Sequence, residues 1–342
     1  MKRETGGLVV RAKAGDGDAF RELTEPYRRE LFVHCYRMLG SYQDAEDAVQ
    51  EALFAAWSGI GGFEERSSIR TWLYRVATNR CLNALRAASR RPAQEWNVPK
   101  VEPPEPTRMG EVVWLEPFPD SVLGEAAGPL RPEAHYELVE SMSLAFITAL
   151  QILPPRQIAV LILRDVLGFP ATEVAGMLDT TVESVTSALK RARAGIARSR
   201  RETPDRQPPP AAASPAEEAI VARFVGAYQA ADIDAIVDLL TDDVFMSMPP
   251  IPFEYEGRGV VERFLERLFG SGRRFDLVPA RANGQPAFGS YLRSPNGTRH
   301  GVGFIVLTLS GEKICGLTRF ENRALAWFGL PRSLPRAADE RS

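Results

Sequence analysis

The sequence has few of the residues that build disulfide frameworks, zinc sites or local catalytic triads. Its 342 residues include three cysteines and three histidines, and neither set is clustered. Cys35, Cys81 and Cys315 form no Cys-x-x-Cys pair, which argues against a disulfide framework and is typical of a reducing compartment. A zinc site or a Ser-His-Asp triad would have to be assembled from distant parts of the chain.

Long apolar runs and a large charge excess are also missing. No stretch approaches the ~20 apolar residues of a membrane span, and no apolar run follows Met1–Glu4 as in a secretion signal. We therefore expect a soluble, cytoplasmic protein with no membrane partner. The net charge is −2, so any affinity for nucleic acid must come from local patches.

Two proline-rich stretches divide the chain, at 92–135 and 202–214. Proline removes backbone donors and blocks helix interiors, so both stretches are predicted to be extended, poorly packed linkers. They separate three bodies at 8–91, 136–201 and 215–330, which we expect to be separate domains.

The first two bodies are predicted to be all-α, because their apolar residues recur at helical spacing. The third body begins with helical patterns at Glu217–Gln229 and Ile233–Leu240. Strand-like runs separated by turn residues follow at Val244–Met248, Phe275–Val278, Ala287–Leu292, Gly303–Leu309 and Ile314–Phe320. Helices followed by an antiparallel sheet indicate an α+β domain.

A helix-turn-helix is predicted at Ala171–Ile196. Asp179 lies at the turn, where a residue that tolerates the left-handed conformation is needed. The second helix presents hydroxyl and charged side chains that suit base edges and phosphates. They are Thr181, Glu183, Ser184, Ser187, Lys190, Arg191 and Arg193. The alternative is a helical hairpin with a solvated basic face, but six basic residues and no acid between Ser184 and Arg201 favour DNA binding.

A second basic region, Arg66–Gln94, holds seven arginines and no acidic residue. The helix within it is predicted to turn one face away from its apolar stripe. That face carries Thr71, Tyr74, Arg75, Thr78, Asn79 and Arg86. Arginines beside an aromatic ring suit single-stranded or melted DNA, since charge follows the backbone while planar groups stack on bases. The alternative is a solvated arginine-rich face.

An acidic cluster decorates the preceding helix. It consists of Asp44, Glu46, Asp47, Gln50 and Glu51. Paired carboxylates are also found in acid–base catalysis and metal sites. These residues, however, are predicted to face outward on a regular helix with no histidine nearby, which favours a solvated or protein-docking face.

Together these stretches resemble the extracytoplasmic-function sigma factors of the sigma-70 family. The resemblance covers most of residues 18–88 and 140–197. Its motifs are Tyr36–Ser41 and Asp44–Glu51 for the docking helix of region two, Phe63 with Arg66–Asn79 for the promoter-melting segment, and Leu153–Gln157 with Arg164–Phe169 and the helix-turn-helix for region four.

The resemblance implies a role for each cluster. The acidic residues would dock on the β′ clamp of core RNA polymerase. Phe63, Arg66 and Arg70, together with the outward face of their helix, would capture the −10 element. Region four would bind the −35 element and the β flap. A sigma factor that initiates transcription at specific promoters needs no cofactor, metal or catalytic residue, so we expect no enzyme. An anti-sigma factor and a small-molecule ligand stay open as further partners.

The C-terminal body is similar to the SnoaL-like, cone-shaped domains that are appended to some of these sigma factors. The similarity rests mainly on the order of the helices and strands, and the segments that show it are Phe224–Tyr228, Asp232–Leu240, Asp242–Met248 and Asn283–Ala287. The domain is interpreted either as a module that modulates the sigma regions or as a small-molecule pocket. The pocket candidates are Phe245, Met248, Phe253, Tyr255 and Phe304, for which a plain core role is favoured. The alternative for the whole chain is a helix-turn-helix transcriptional regulator with a ligand-sensing or enzymatic SnoaL-like domain and no polymerase docking.

Overall fold

The computed structural model describes residues 2–88, 93–96, 98–99, 101–111, 114–127, 140–201 and 206–335. These residues divide into two compact units. The helical unit consists of the described residues up to 88 and within 121–201. The sheet unit consists of those within 93–120 and 206–335.

The described residues before residue 202 contain the following α-helices. They are α1 (Lys2–Lys13), α2 (Gly17–Thr24), α3 (Arg28–Leu39), α4 (Tyr42–Gly59), α5 (Ile69–Ala88), α6 (Asp120–Ala127), α7 (Leu144–Gln151), α8 (Pro155–Leu161), α9 (Ala171–Met177) and α10 (Val182–Arg201). Hydroxyl side chains cap several of them. Ser41 Oγ accepts from Asp44 N–H at 3.1 Å and Ser68 Oγ from Thr71 N–H at 3.0 Å, so each satisfies a donor that the first helical turn leaves free.

The helices of 8–91 and 136–201 share one unit instead of forming two separate bodies. Helix α5 contacts both α8 and α9. Leu73 of α5, Ile147 of α7 and Leu163 are at most 1 % exposed. The helix-turn-helix forms as predicted from α9 and α10, and Asp179 takes a left-handed φ of 48° at its turn.

The sheet unit has an α+β architecture, as predicted. Its helices and strands are α11 (Pro215–Ala230), α12 (Ile233–Asp238), α13 (Arg258–Gly270), β1 (Arg108–Met109), β2 (Leu240–Met248), β3 (Ile251–Glu256), β4 (Phe275–Ala282), β5 (Gln285–Arg293), β6 (Arg299–Ser310), β7 (Lys313–Phe320) and β8 (Ser333–Leu334). The strand order is β1-β3-β2-β7-β6-β5-β4, with β8 paired to β6. The β2–β7 pair is parallel and the other pairs are antiparallel. Phe224 of α11, Phe264 of α13 and Ile305 of β6 belong to one buried core.

The described part of 93–120 packs on this sheet, so the prediction of a poorly packed linker is wrong there. Strand β1 pairs with β3. Phe118 is fully buried, and its N–H donates to Asn283 Oδ1 at 2.8 Å. Trp96 stacks on Phe253 with 6.5 Å between ring centroids. Proline prevents regular helix in this stretch, but its apolar side chains remain able to bury themselves. Helix α6 (Asp120–Ala127) also lies within the predicted linker, so the prediction of an extended chain is wrong there too. Residues 128–135 of the predicted linker lie outside the described residues.

Within the described residues, no helix combines the length and the apolar character needed to cross a membrane. The same residues contain no group of three or more His, Cys, Asp or Glu side chains suited to hold a metal ion.

Candidate functional site

The acidic cluster lies on α4. Glu46, Asp47, Gln50 and Glu51 are exposed, and Asp44 is half-buried in the first turn. The sequence analysis missed one member of this face. Phe54 is 73 % exposed and follows Gln50 by four residues, so it lies on the same side of the helix. Its signal in the sequence is an aromatic residue outside the apolar stripe. A large apolar side chain beside charged ones is typical of protein–protein contacts. We call these six residues the acidic surface.

The predicted −10 residues separate into exposed and buried sets. Arg66, Arg75, Asn79 and Arg86 are exposed, and Arg70 and Thr71 are half-buried. The prediction that Tyr74 and Thr78 face outward is wrong, because both are fully buried. Phe63 is also buried, at 5.1 Å from the Trp72 ring.

Tyr74 and Thr78 are buried because they face His34 of α3. Thr78 Oγ1 is 2.9 Å from His34 Nε2, and the Tyr74 and His34 rings are 5.0 Å apart. Burial, assisted by the charges of Arg37 and Arg70, lowers the pKa of His34 to about 3. The imidazole is therefore neutral near pH 7 and belongs to the core of the unit.

Residues around the start of α9 cover the first two turns of α5. The Tyr74 ring is 5.2 Å from the Phe169 ring. The Arg70 guanidinium lies 4.9 Å and 5.1 Å from those same two ring centroids. Thr71 Oγ1 donates to Glu173 Oε2 at 3.0 Å. We call this set the closed contact: Arg70, Thr71 and Tyr74 against Phe169 and Glu173. While the closed contact is formed, a nucleic-acid base cannot stack on the Tyr74 ring.

Arg70 is held on its other side as well. Two of its N–H groups donate to the Glu30 carboxylate at 3.1 Å and 3.0 Å. Desolvation is the largest single influence on Arg70 and lowers its pKa, but the hydrogen bonds and charges of Glu30 and Tyr74 together outweigh it, so the pKa is raised. A forked pair of this kind fixes the guanidinium plane between Glu30 and the two aromatic rings.

The predicted −35 residues all lie on the exposed side of the helix-turn-helix. They are Thr181, Glu183, Ser184, Ser187, Lys190, Arg191 and Arg193. Thr181 also caps α10, since its Oγ1 accepts from Ser184 N–H at 3.2 Å. Arg193 donates to the carboxylate of Asp165 at 2.7 Å and 2.8 Å, and Arg191 to Ser187 Oγ at 2.7 Å. The Asp165 carboxylate raises the pKa of Arg193. This exposed ion pair must break before Arg193 can bind a phosphate.

The sheet unit contains a cavity of about 70 Å³, and of the five predicted pocket residues Met248 alone lines it. Successive strand residues point to opposite faces. Phe245 therefore lies on the other side of β2, 5.5 Å from the Arg108 guanidinium. Phe304 stacks on Phe328 at 4.0 Å.

The two remaining residues predicted to line the pocket, Phe253 and Tyr255, pack against the 93–120 stretch. Phe253 stacks on Trp96, and Tyr255 Oη donates to Pro104 O at 3.2 Å. Polar and charged residues that the sequence analysis missed also line the cavity: Tyr228, Arg273, Ser290 and Arg319. Arg319 has a signal in the sequence, because it interrupts an otherwise apolar strand.

Comparison with known families agrees with this organisation. Residues 23–91 match sigma-70 region 2, residues 143–195 match sigma-70 region 4, and residues 221–316 match the SnoaL-like domain. The chain is 41 % identical over 321 residues to the ECF RNA polymerase sigma factor SigG of Mycobacterium tuberculosis strain H37Rv, covering 92 % of this chain and 85 % of that protein. It is 30 % identical over 192 residues to the ECF RNA polymerase sigma-E factor of Escherichia coli K12, covering 55 % of this chain and 90 % of that one.

A solved structure shows the same fold. The extracytoplasmic function sigma factor SigJ of Mycobacterium tuberculosis superimposes with a TM-score of 0.57 at 23 % identity, over 89 % of this chain and 97 % of that one. The family matches, in the order in which the fold presents them, define a sigma factor with an appended SnoaL-like domain. The chain belongs to the extracytoplasmic-function family of RNA polymerase sigma factors.

Proposed function

We propose that this chain is a promoter-selecting subunit that binds core RNA polymerase, directs it to specific promoters and starts transcription there. The observation that carries the proposal is the presence, in one helical unit, of an exposed acidic surface and an exposed basic recognition helix on matching sigma regions. No chemistry on a substrate is required of it. Its place of work is the cytoplasm, where core polymerase acts.

The acidic surface is proposed to bind the β′ clamp. Asp47, Gln50 and Glu51 present one charged and polar row, and Phe54 adds an apolar group at its end. Charged residues around an apolar anchor give an interface both orientation and binding energy.

Helix α10 is proposed to bind the −35 element and, with its neighbours, the β flap. Its hydroxyl groups at Ser184 and Ser187 are within the first two turns, where a recognition helix meets base edges. Lys190 and Arg191 follow on the exposed side and suit phosphates.

Helix α5 is proposed to hold the melted −10 element. Arg66, Arg75 and Arg86 are exposed and available to the phosphate backbone. Arg70, Thr71 and Tyr74 become available only when Phe169 and Glu173 leave the closed contact. Opening must therefore accompany promoter melting, which itself costs a few kcal/mol per unstacked base.

The sheet unit is proposed to modulate these regions. The described residues of 93–120 pack on it and lie between regions two and four in the sequence. A structural change in the sheet unit can therefore reach the connector between the two DNA-binding regions.

Mobility-shift measurements on duplex promoter DNA, with and without core polymerase, separate this function from its alternative. A sigma factor shifts promoter duplex strongly only together with core polymerase. A free-standing helix-turn-helix regulator binds the same duplex tightly alone and gains nothing from core polymerase. That second result would overturn the proposal.

A further inference from the structure

The cavity of the sheet unit is walled mainly by apolar side chains. Phe224 comes from α11, Leu265 from α13, and Met248, Ile305 and Leu317 from three strands. All five are at most 7 % exposed. An occupant of this space needs an apolar body, since such walls offer dispersion contacts and exclude water.

Two hydroxyl groups break this apolar lining. Tyr228 is 7 % exposed and Ser290 is 3 % exposed, and both line the cavity. Neither hydroxyl has a hydrogen-bond partner among the described residues. Both hydroxyls are therefore free to hydrogen-bond a polar group of an occupant.

Two guanidinium groups also line the cavity. Arg319 donates to Val302 O at 2.8 Å and Arg273 to Pro99 O at 2.9 Å. In the part of the chain that the structure describes, neither arginine forms an ion pair. The neighbouring acid, Glu321, pairs with Arg323 at 3.6 Å instead.

The electrostatics favour a negative charge beside Arg319 and Arg273. Burial lowers the pKa of Arg319, and the charge of Arg273 contributes in the same direction, while Tyr228 and Glu321 act in the opposite direction. A half-buried cation with a second cation beside it is stabilised by an anion that can accept hydrogen bonds from both.

We propose that this cavity binds a small aliphatic monocarboxylate. Its carboxylate pairs with Arg319 and accepts from Tyr228 Oη and Ser290 Oγ, while its alkyl group packs on Met248 and Leu317. The volume sets the size, because about 70 Å³ is roughly half of the ~150 Å³ cavity that holds benzene, so the acid has fewer heavy atoms than benzene. This inference goes beyond the proposed function and does not depend on it.

Trp96 provides an optical signal at the same site. It lines the cavity, and its Nε1–H donates to Val101 O at 2.7 Å. Its ring also packs against Phe264 at 6.0 Å. An occupant changes the surroundings of this indole directly.

The test is calorimetric titration of the full chain with formate, acetate and propionate, each beside its neutral amide. We expect saturable binding of at least one acid and at least about tenfold weaker binding of its amide. Arg319→Met should weaken acid binding by a similar factor. The matched control is Arg267→Met, which removes an exposed arginine of α13 and should leave the affinity unchanged.

A fluorescence titration locates the binding. The acid should change tryptophan emission in the unaltered chain and not in Trp96→Phe. The proposal is overturned if none of the three acids binds, if acid and amide bind equally, or if the Trp96→Phe variant gives the full emission change. The comparison of acid with amide uses the unaltered chain, so it remains decisive even if Arg319→Met fails to fold.

Discussion

Replacing Phe169 with alanine should open the closed contact and strengthen binding to single-stranded DNA. Phe169 is 5 % exposed and touches Tyr74 and Arg70. Alanine removes both contacts at once and leaves the α5 residues in place. The variant therefore changes the balance between the closed arrangement and one in which Tyr74 is accessible.

The size of the effect follows from the two lost contacts. A buried aromatic pair contributes about 0.5–1.5 kcal/mol beyond its buried area, and a cation–π contact about 0.5–2 kcal/mol. Destabilising the closed arrangement alone by about 1–3 kcal/mol shifts the equilibrium toward the open arrangement by about 5-fold to 150-fold. Apparent affinity for single-stranded DNA rises by up to that factor, because binding no longer has to break the contact.

Fluorescence anisotropy with a labelled random-sequence single strand at fixed salt measures this change. Glu173→Ala should act in the same direction more weakly, since it removes one hydrogen bond to Thr71. Glu22→Ala is its charge-matched control, because Glu22 is exposed and lies outside both the closed contact and the predicted DNA-binding residues. An affinity that stays constant or falls in Phe169→Ala, with its helical content preserved, would refute the closed contact as a barrier to DNA.

Three further outcomes are expected. Asp47→Ala should weaken binding to core polymerase about fivefold or more, whereas Glu22→Ala, an exposed acid on α2, should not; equal co-purification of both variants with core polymerase would count against the docking surface. Lys190→Ala and Arg191→Ala should each lower the salt dependence of duplex binding by about one ion, and an unchanged slope would remove that residue from the phosphate contacts. His34 has a pKa of about 3 in the folded chain against 6.5 ordinarily. The neutral imidazole therefore contributes its full stabilisation above pH 6.5, and this contribution is lost as the pH falls from 6.5 toward 3. Circular dichroism melts should show a loss of about 2 kcal/mol at pH 5 from this group, absent in His34→Gln; the same pH dependence in both proteins would contradict the assignment.

Local rules predicted the helical unit well. Ser68 caps α5, and Pro26 lies in a short 3₁₀ turn, Glu25–Tyr27, between α2 and α3. Asp179 takes the left-handed turn of the helix-turn-helix. Each of these features depends on neighbours within a few residues, so the sequence carries the information directly.

Long-range packing accounts for the failures. Helical periodicity predicts an outward position for Tyr74 because it lies on the face of α5 opposite the apolar stripe. Its burial depends on His34 and Phe169, which are distant in sequence. Helical periodicity identifies a stripe but does not show that a second partner covers the opposite side.

The sheet unit shows the same limit. The parallel pairing of β2 with β7 joins Phe245 to Gly316, which no local pattern indicates. Strand β3 contains Pro252, and proline within an apolar run lowers the expectation of a strand. Phe245 does not line the cavity, because aromatic character alone does not reveal which face of a strand is enclosed.

Run-off transcription with core polymerase on a set of genomic promoters tests the central claim most directly. The account predicts that the purified chain makes core polymerase start at discrete sites on a subset of these templates. Start-site selection should weaken with Asp47→Ala and with the double variant Lys190→Ala, Arg191→Ala. Failure of the purified chain to produce a specific transcript on any template would contradict the account.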